Sequence, residues 1–451
     1  MKIVVIGDGK VGRSIIEHVS KEGHEIIVID KNPNVVEQLV NAYDVMGVVG
    51  NGASYEIQKS ARVEKADLLI ATTPSDEINI LSCIVSKMLG VKATVARVRS
   101  YDYSNQTNLM VKNLGINMII NPEMMTADEI MNVINFPEAI SIESFAKGNV
   151  EMIEIYVSEK SPLVGAKLAS FYDKFQVQIL VCAIQRGEEV VIPDGNFVIM
   201  PKDKIHLTAT KANLKLFLQK VGLAETKIKD ALIIGGGKIS LYLAKKLLKN
   251  KFKVKIIEKD LQRCIELNEL LPSATIIHGD GSDQELLMEE GINAYNAVIP
   301  LTNSDEENII ISLFASKQKA KKIITKINRH SFIGLIETIG MSSVVSPKEL
   351  TAQQIVSYIR AKSNSRGSNI RTLYKIVNNE VEALEFVAKK TSKVVNKPLK
   401  DLKLKKNILI AAIIREDEVI IPKGIDAIQE NDSVIVITKD HLLDELNDIL
   451  V

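Results

Sequence analysis

Apolar and polar positions along this chain fall into two alternating rhythms. Short, nearly unbroken apolar runs recur through the first 121 residues: KIVVIG, EIIVID, DVMGVVG, ADLLIAT, ATVARV and MIIN. Between them, mixed stretches with helical periodicity predict helices at 11–21, 33–41, 54–61, 76–90 and 104–114. Another is expected at 122–136, where PEMMTADEI puts a proline in the first turn. Apolar strands alternating with helices imply a parallel sheet covered on both faces, a doubly wound α/β domain whose ligand edge lies at the loops after the strands. From about residue 140 the rhythm changes. MIEIYV, VQILVCAI, EVVIPDG and KIHLTAT read as short strands between turns, and SPLVGAKLASF as holding a short helix. This second part reads as a small α+β domain.

The whole pattern then repeats. KIVVIGDGKVGRSIIEHV is echoed by DALIIGGGKISLYLAKKL, with Gly7 and Gly235 standing 228 residues apart, as do Asp30 and Glu258. VVGNGAS matches IHGDGSD, LLIATTPSDEIN matches AVIPLTNSDEEN, and TVARV matches IITKI. Gly52/Gly281, Asp76/Asp305 and Arg97/Lys326 are all 229 apart. NPEMMTADEIMNVI is similar to SPKELTAQQIVSYI, and AIQRGEEVVIPDG to AIIREDEVIIPKG. Offsets this constant mark a tandem duplication. Four domains are expected: 1–137, 138–226, 227–368 and 369–451, the first and third α/β, the second and fourth small α+β. KSNSRGSN (362–369) is the most linker-like stretch, and the short TKIKD (226–230) implies that the halves pack together.

GDGKVG, Gly7 to Gly12, follows a strand and opens a helix, and Asp30 closes the next strand. That context turns a weak glycine motif into a dinucleotide-binding, Rossmann-like fingerprint. The first glycine permits the turn, the second lets the backbone approach a pyrophosphate, and the third lets helix and strand pack. The acidic side chain accepts from ribose hydroxyls and would repel a 2′-phosphate, so NAD(H) or an adenine nucleotide is favoured over NADP. The second copy, GGGKIS, keeps Gly235 and Gly237 but has Ser240 at the third glycine and Glu258 at the acid. Thr73 and Thr302 are candidates to line an adenosine pocket. Arg97 and Lys326 would either meet a phosphate or stand as solvated surface charges. Ser75 and Ser304 read as helix caps with acids in the first turn.

Catalytic and metal chemistry is not evident. The histidines, His18, His24, His206, His278, His330 and His441, show no metal spacing, and no nucleophile elbow or Walker lysine occurs. A dehydrogenase needs a proton donor near the nicotinamide, and none stands out. His278 abuts the second GxG loop, where backbone contact is its simplest role. The three cysteines lie far apart and read as buried residues of a reducing compartment. A net charge of +1, no tryptophan and 4% aromatics argue against nucleic acid. No signal peptide is read at the start, and no apolar run is long enough to cross a bilayer.

The order GDGKVG, Asp30, GxG loop, ATTPSDEIN, TVARV and then a small domain with VIPDG resembles the domains that regulate potassium conductance. As a tandem pair it resembles the TrkA family, the cytoplasmic nucleotide-binding subunits of Trk potassium uptake systems. The resemblance covers essentially the whole chain. It implies a ring of Rossmann-like domains, built as a homotetramer, peripheral on the inner face of the membrane beneath a potassium-translocating subunit. The ligands implied are NAD(H) and ATP or ADP. The contacts implied in the first half are Gly7, Asp8, Gly9, Lys10, Val11, Gly12, Asp30, Thr72, Thr73 and Arg97, beside the Gly52 loop. In the second they are Gly235, Gly236, Gly237, Lys238, Ile239, Ser240, Glu258, Thr302 and Lys326, beside the Gly281 loop. The competing expectations are an NAD-dependent oxidoreductase and a regulator of a different cation transporter.

Overall fold

The computed structural model describes residues 1–20, 23–104, 106–145, 149–223, 228–329, 331–332, 343–364, 370–377, 380–416, 418–439, 443 and 445–451. Each apolar run of the first domain becomes a strand. The order is β1 (Lys2–Ile6), α1 (Lys10–Val19), β2 (Glu25–Asp30), α2 (Pro33–Ala42), β3 (Met46–Val49), α3 (Tyr55–Ser60) and β4 (Leu68–Ala71). Then come α4 (Asp76–Met88), β5 (Ala93–Arg97), α5 (Tyr101–Ser104), α6 (Thr107–Asn113), β6 (Met118–Ile120) and α7 (Pro122–Asn135). The sheet runs β3-β2-β1-β4-β5-β6, all parallel. Strand order reverses between β1 and β4, which opens a crevice at the strands' C-terminal ends. The helix expected at 104–114 is instead two short ones, α5 and α6. Ser104 and Gln106 flank the break, and such polar side chains favour turns over helix interior.

The second α/β domain repeats this plan: β12 (Asp230–Ile234), α10 (Lys238–Lys249), β13 (Lys253–Glu258), α11 (Leu261–Leu270), β14 (Thr275–His278), α12 (Gln284–Glu289), β15 (Ala297–Pro300) and α13 (Asp305–Lys317). Its parallel sheet runs β14-β13-β12-β15-β16. The fifth strand is interrupted at Ile324, so β16 (Lys322–Ile323) joins the main sheet while β17 (Thr325–Lys326) pairs with β18 (Val344–Val345). A helix, Pro347–Asn364, follows. Lys362 to Asn364 of the linker-like stretch therefore belong to a helix end. Its remainder, and the expected boundaries at 226 and 368, lie outside the described residues.

The first small domain is an antiparallel sheet, β10-β9-β11-β8-β7, from β7 (Ser141–Phe145), β8 (Val150–Tyr156), β9 (Leu180–Arg186), β10 (Glu189–Val191) and β11 (Lys204–Ala209). Helices α8 (Phe171–Phe175) and α9 (Lys211–Lys220) cover one face. Neither β7 nor α9 stood out in the pattern. SIESF carries only two large apolar residues, and α9 buries just Leu214, Phe217 and Leu218. The second small domain matches it: β19 (Ile370–Ile376), β20 (Val381–Val387), β21 (Ile408–Arg415), β22 (Glu418–Ile420) and β23 (Ser433–Thr438), ordered β19-β20-β23-β21-β22.

The chain forms two compact units, and each joins like with like. One holds residues 1–131 and 229–356, the two α/β domains; the other holds 132–228 and 357–451, the two small ones. In the α/β unit, Tyr242 on α10 accepts a hydrogen bond from Asn121 Nδ2 at 2.9 Å, and the ammonium of Lys245 lies 3.6 Å over the ring of Tyr101. In the other unit the two sheets share a core that includes Val150, Met152 and Ala183 from one and Ala383, Ala412 and Ile435 from the other.

Candidate functional site

The glycine loops carry the site. Gly7 and Gly235 hold φ of +92° and +99°, a left-handed conformation that favours glycine. A Cβ on Gly12 would stand 2.1 Å from the carbonyl oxygen of Gly7, so α1 packs against its own loop. A Cβ on Gly237 would meet nothing, and one on Gly9 only the Thr72 carbonyl at 3.6 Å, so the middle glycines leave open space beside the helix ends. Gly9 and Gly237 cap α1 and α10 with no side-chain bond, and neither helix has an acid in its first turn. Those free N–H groups and the helix dipole suit an anion. Ser240 departs from the motif without breaking it: its hydroxyl donates to the Gly235 carbonyl.

The acidic residues are pre-set by the backbone. Asp30 accepts from the N–H of Asp8 and of Asn32, each at 2.9 Å. Glu258 accepts from the N–H of Gly236 and of Asp260, at 2.6 and 2.9 Å. Each carboxylate is thereby fixed at its loop with lone pairs left for hydroxyl donors. Gly52 and Gly281 lie nearby, but what requires glycine there is packing. A Cβ would come within 2.1 Å of Ile6 and 2.2 Å of Ile234. Gly7, Asp30, Gly52 and Thr73 line a cavity of about 170 Å³. Gly235 to Gly237, Glu258, Gly281 and Thr302 line one of about 610 Å³.

Other candidates stand elsewhere. Thr72 is buried beneath the loop and donates to the Gly7 carbonyl at 3.0 Å. Thr72 and Arg97 do not line the first of these cavities, nor Lys326 the second. All three face a further cavity of about 610 Å³ between the two α/β domains, together with Gly9, Val11, Gly237, Lys238 and Ile239. Burial, with Arg99 alongside, lowers the pKa of the Arg97 guanidinium, which donates to the Thr73 carbonyl at 3.0 Å. Lys326 makes the matching bond to the Thr302 carbonyl. Asp8 is paired with Arg13 and faces another cavity, of about 630 Å³, across from Asn303 and Lys348. Lys10 opens α1; its side chain lies outside those described.

Several organising residues were not singled out from sequence. Asn79, fully buried, accepts from the N–H and hydroxyl of Thr73 and donates to the carbonyls of Thr73 and Arg97. Asn308 accepts from the N–H of Thr302 and donates to the carbonyls of Thr302 and Lys326. These asparagines tie α4 and α13 to the ends of strands four and five, and their 229-residue offset was the signal available. The SDE segments serve the same end. Ser75 and Ser304 cap α4 and α13, while Asp76 and Asp305 accept from the backbone after β5 and β17. His278 contacts the Lys259 carbonyl at 3.1 Å, and Cys83 and Cys182 are buried thiols with raised pKa. His330 and His441 lie outside the described residues. Among the described residues no group of three or more His, Cys, Asp or Glu side chains is placed to hold a metal. No helix among them is long and apolar enough to cross a membrane.

Comparison with known proteins agrees with this architecture. The TrkA-N domain family matches residues 3–122 and 231–347, and the TrkA-C domain family residues 152–222 and 383–451. The Trk system potassium uptake protein TrkA homolog 1 of Methanosarcina mazei is 34% identical over 444 residues, 97% of each chain. The TrkA homolog of Archaeoglobus fulgidus is 32% identical over all of both chains, and TrkA of Halomonas elongata 31% identical over 98% of this chain and 95% of its own. Among solved structures, the GsuK channel bound to NAD has a TM-score of 0.64 at 17% identity, covering 97% of this chain and 77% of its own. The GsuK RCK domain has 0.63 at 18% identity, covering 97% and 92%.

Proposed function

The chain belongs to the TrkA family, and from that premise we propose that it is the cytoplasmic regulatory subunit of a Trk-type potassium uptake system. It binds NAD(H) and ATP or ADP at its two glycine loops and, as a homotetramer, gates a membrane-embedded potassium-translocating subunit on the inner face of the membrane. It is not an enzyme. Its domains are bounded near residues 137, 226 and 368.

One observation carries the reading. Both glycine loops, through Gly9 and Gly237, open onto one cavity between the two α/β domains. A nucleotide held at either loop stands where it can favour one arrangement of the pair over another. A ligand shifts such an equilibrium only by its differential affinity for the two states. Several modestly biased sites per assembly would sum to the roughly 5.5 kcal/mol that takes a population from 1:99 to 99:1. The residues suit the group. Middle glycines leave room for a pyrophosphate, uncapped helix N-termini face it, and Asp30 and Glu258 are held ready for ribose hydroxyls. The bound nucleotide would supply no chemistry; it would be read.

The test is calorimetric titration with NADH, ATP and ADP, with light scattering and potassium flux through the reconstituted partner. Asp30→Ala and Glu258→Ala are expected to keep the fold while weakening binding and uncoupling flux from nucleotide. Undiminished binding in both variants removes the site assignment, and hydride turnover with any small substrate would favour an oxidoreductase.

A further inference from the structure

The two small sheets share one core, and the duplication sets matching rows of residues on their inner faces. On the first sheet, His206 of β11 stands opposite Glu154 of β8 and Ala183 of β9. On the second, Ile435 of β23 stands opposite Glu385 of β20 and Ala412 of β21. Ala183, Ala412 and Ile435 all belong to the shared core, so both rows lie in the joint between the sheets. The glutamate and the alanine are duplicated; the histidine is not. Isoleucine fills the matching place, so packing alone does not call for a histidine.

His206 is 3% exposed, and its Nε2 has no hydrogen-bond partner. A neutral imidazole bears this at modest cost, whereas an imidazolium would be a buried charge in need of a counter-ion. The carboxylate opposite is already engaged. Glu154 Oε2 accepts from the Ser141 hydroxyl at 2.8 Å, and its Oε1 lies 3.7 Å from the Lys204 ammonium. Lys204, on the same strand as His206, repels a second cation. Cys182 on β9 is a fully buried thiol whose pKa burial raises. Glu143 lies further along the face on β7, opposite Met152. From the second sheet, Glu385 shares a face with Ala383 of the common core and accepts from the Ser433 hydroxyl. Burial lowers the pKa of His206, with Glu154 opposing and Lys204 adding to the shift.

We propose that this joint is a proton switch: uptake of a proton at His206 loosens the contact between the two small sheets and so couples their arrangement to acidity. Its ligand is the proton, and it works independently of the nucleotide loops. The form with neutral imidazole is the closed one. Because the folded pKa lies below the unfolded value of about 6.5, the open joint takes up the proton first. The joint is tight above about pH 6.5 and loosens as pH falls below it. A local separation of the sheets, without unfolding of the chain, is enough to let water reach the ring.

Two native thiols make the test. Cys182 is fully buried in the shared core, and Cys83 is fully buried in the first α/β domain. The full chain is treated at about pH 7.5 and 5.5 with a dipyridyl disulfide, a reagent that takes thiols even in acid, and labelling of each cysteine is followed by mass spectrometry. The rate at Cys182 relative to Cys83 removes the pH dependence of the reagent itself. In wild type this ratio is expected to rise severalfold on acidification, and by no more than about tenfold, since pH 5.5 lies about one unit below the unfolded value. In His206→Ile, which copies Ile435, and in His206→Gln, the ratio is expected to hold within about twofold. Thermal melting establishes that both variants are folded. A ratio that is flat in wild type, or that rises as much in the variants, would overturn the proposal. So would a fall in acid, which means that protonated His206 locks onto Glu154, or an equal rise at both thiols, which marks general unfolding.

Discussion

At Gly12 a single added carbon would stand 2.1 Å from the Gly7 carbonyl oxygen, whereas at Gly237 it would touch nothing. The two glycines of one motif thus answer to different demands, and substitution separates them. Gly12→Ala forces the helix off its loop and is expected to cost roughly 1–3 kcal/mol, read as a lower urea midpoint. Gly237 has φ of −67°, which alanine adopts freely. Gly237→Ala is therefore expected to hold or raise stability, by up to about 1 kcal/mol read from a thermal melt, while weakening nucleotide binding in the second half. A fall in both quantities together would mean that this glycine serves packing. Asn79 makes its contacts with no exposure to water, so Asn79→Ala strands buried backbone groups. A loss of about 1–3 kcal/mol is expected, with nucleotide binding reduced because Thr73 is no longer held.

Among the elements, β11 carries the clearest pH dependence. His206 is 3% exposed, its Nε2 has no hydrogen-bond partner, and it lies across from Glu154 on β8 and Ala183 on β9. The duplicate position in the second small domain is Ile435, in the core shared by the two sheets. Burial lowers the pKa of His206, Glu154 opposes this, and Lys204 on the same strand adds to it. A folded pKa below the unfolded value of about 6.5 means that the unfolded chain takes up the proton first. The stability is complete above about pH 6.5 and lost as pH falls below it. His206→Ile, which copies Ile435, is expected to flatten that dependence. Urea midpoints at about pH 7.5 and 5.5 check it; an unchanged slope would place the acid sensitivity elsewhere. The duplicated ion pairs Arg186–Asp203 and Arg415–Asp432 join the last residue of β9 or β21 to the residue just before β11 or β23, each Arg also donating to a carbonyl, Val198 or Ala427.

Polar groups join the two α/β domains: Lys246 is paired to Asp128, and beside it Tyr242 accepts from Asn121 and donates to the Arg99 carbonyl at 3.4 Å. Tyr242→Phe keeps the ring against Tyr101 and removes those bonds. It is expected to cost about 1 kcal/mol in a melt, and also to weaken any effect of nucleotide in one half on binding in the other, seen by titrating with the first site filled. The amino-acid sequence by itself determined the duplication, the two doubly wound domains, the glycine loops with their acids, and the caps Ser75 and Ser304. All of these rest on local rules: strand and helix periodicity, the φ that a turn demands, and a constant offset. It did not determine that α/β domain meets α/β domain and small sheet meets small sheet, since a buried face records that it is covered and not by what. Nor did it place Thr72, Arg97 and Lys326, which the motif order set among nucleotide contacts. Tertiary packing put Thr72 under the loop and turned the two cations to a cavity that exists only where the halves come together. Glu123 and Lys348 look unremarkable in NPEMM and SPKEL; only the fold brings both to that one cavity.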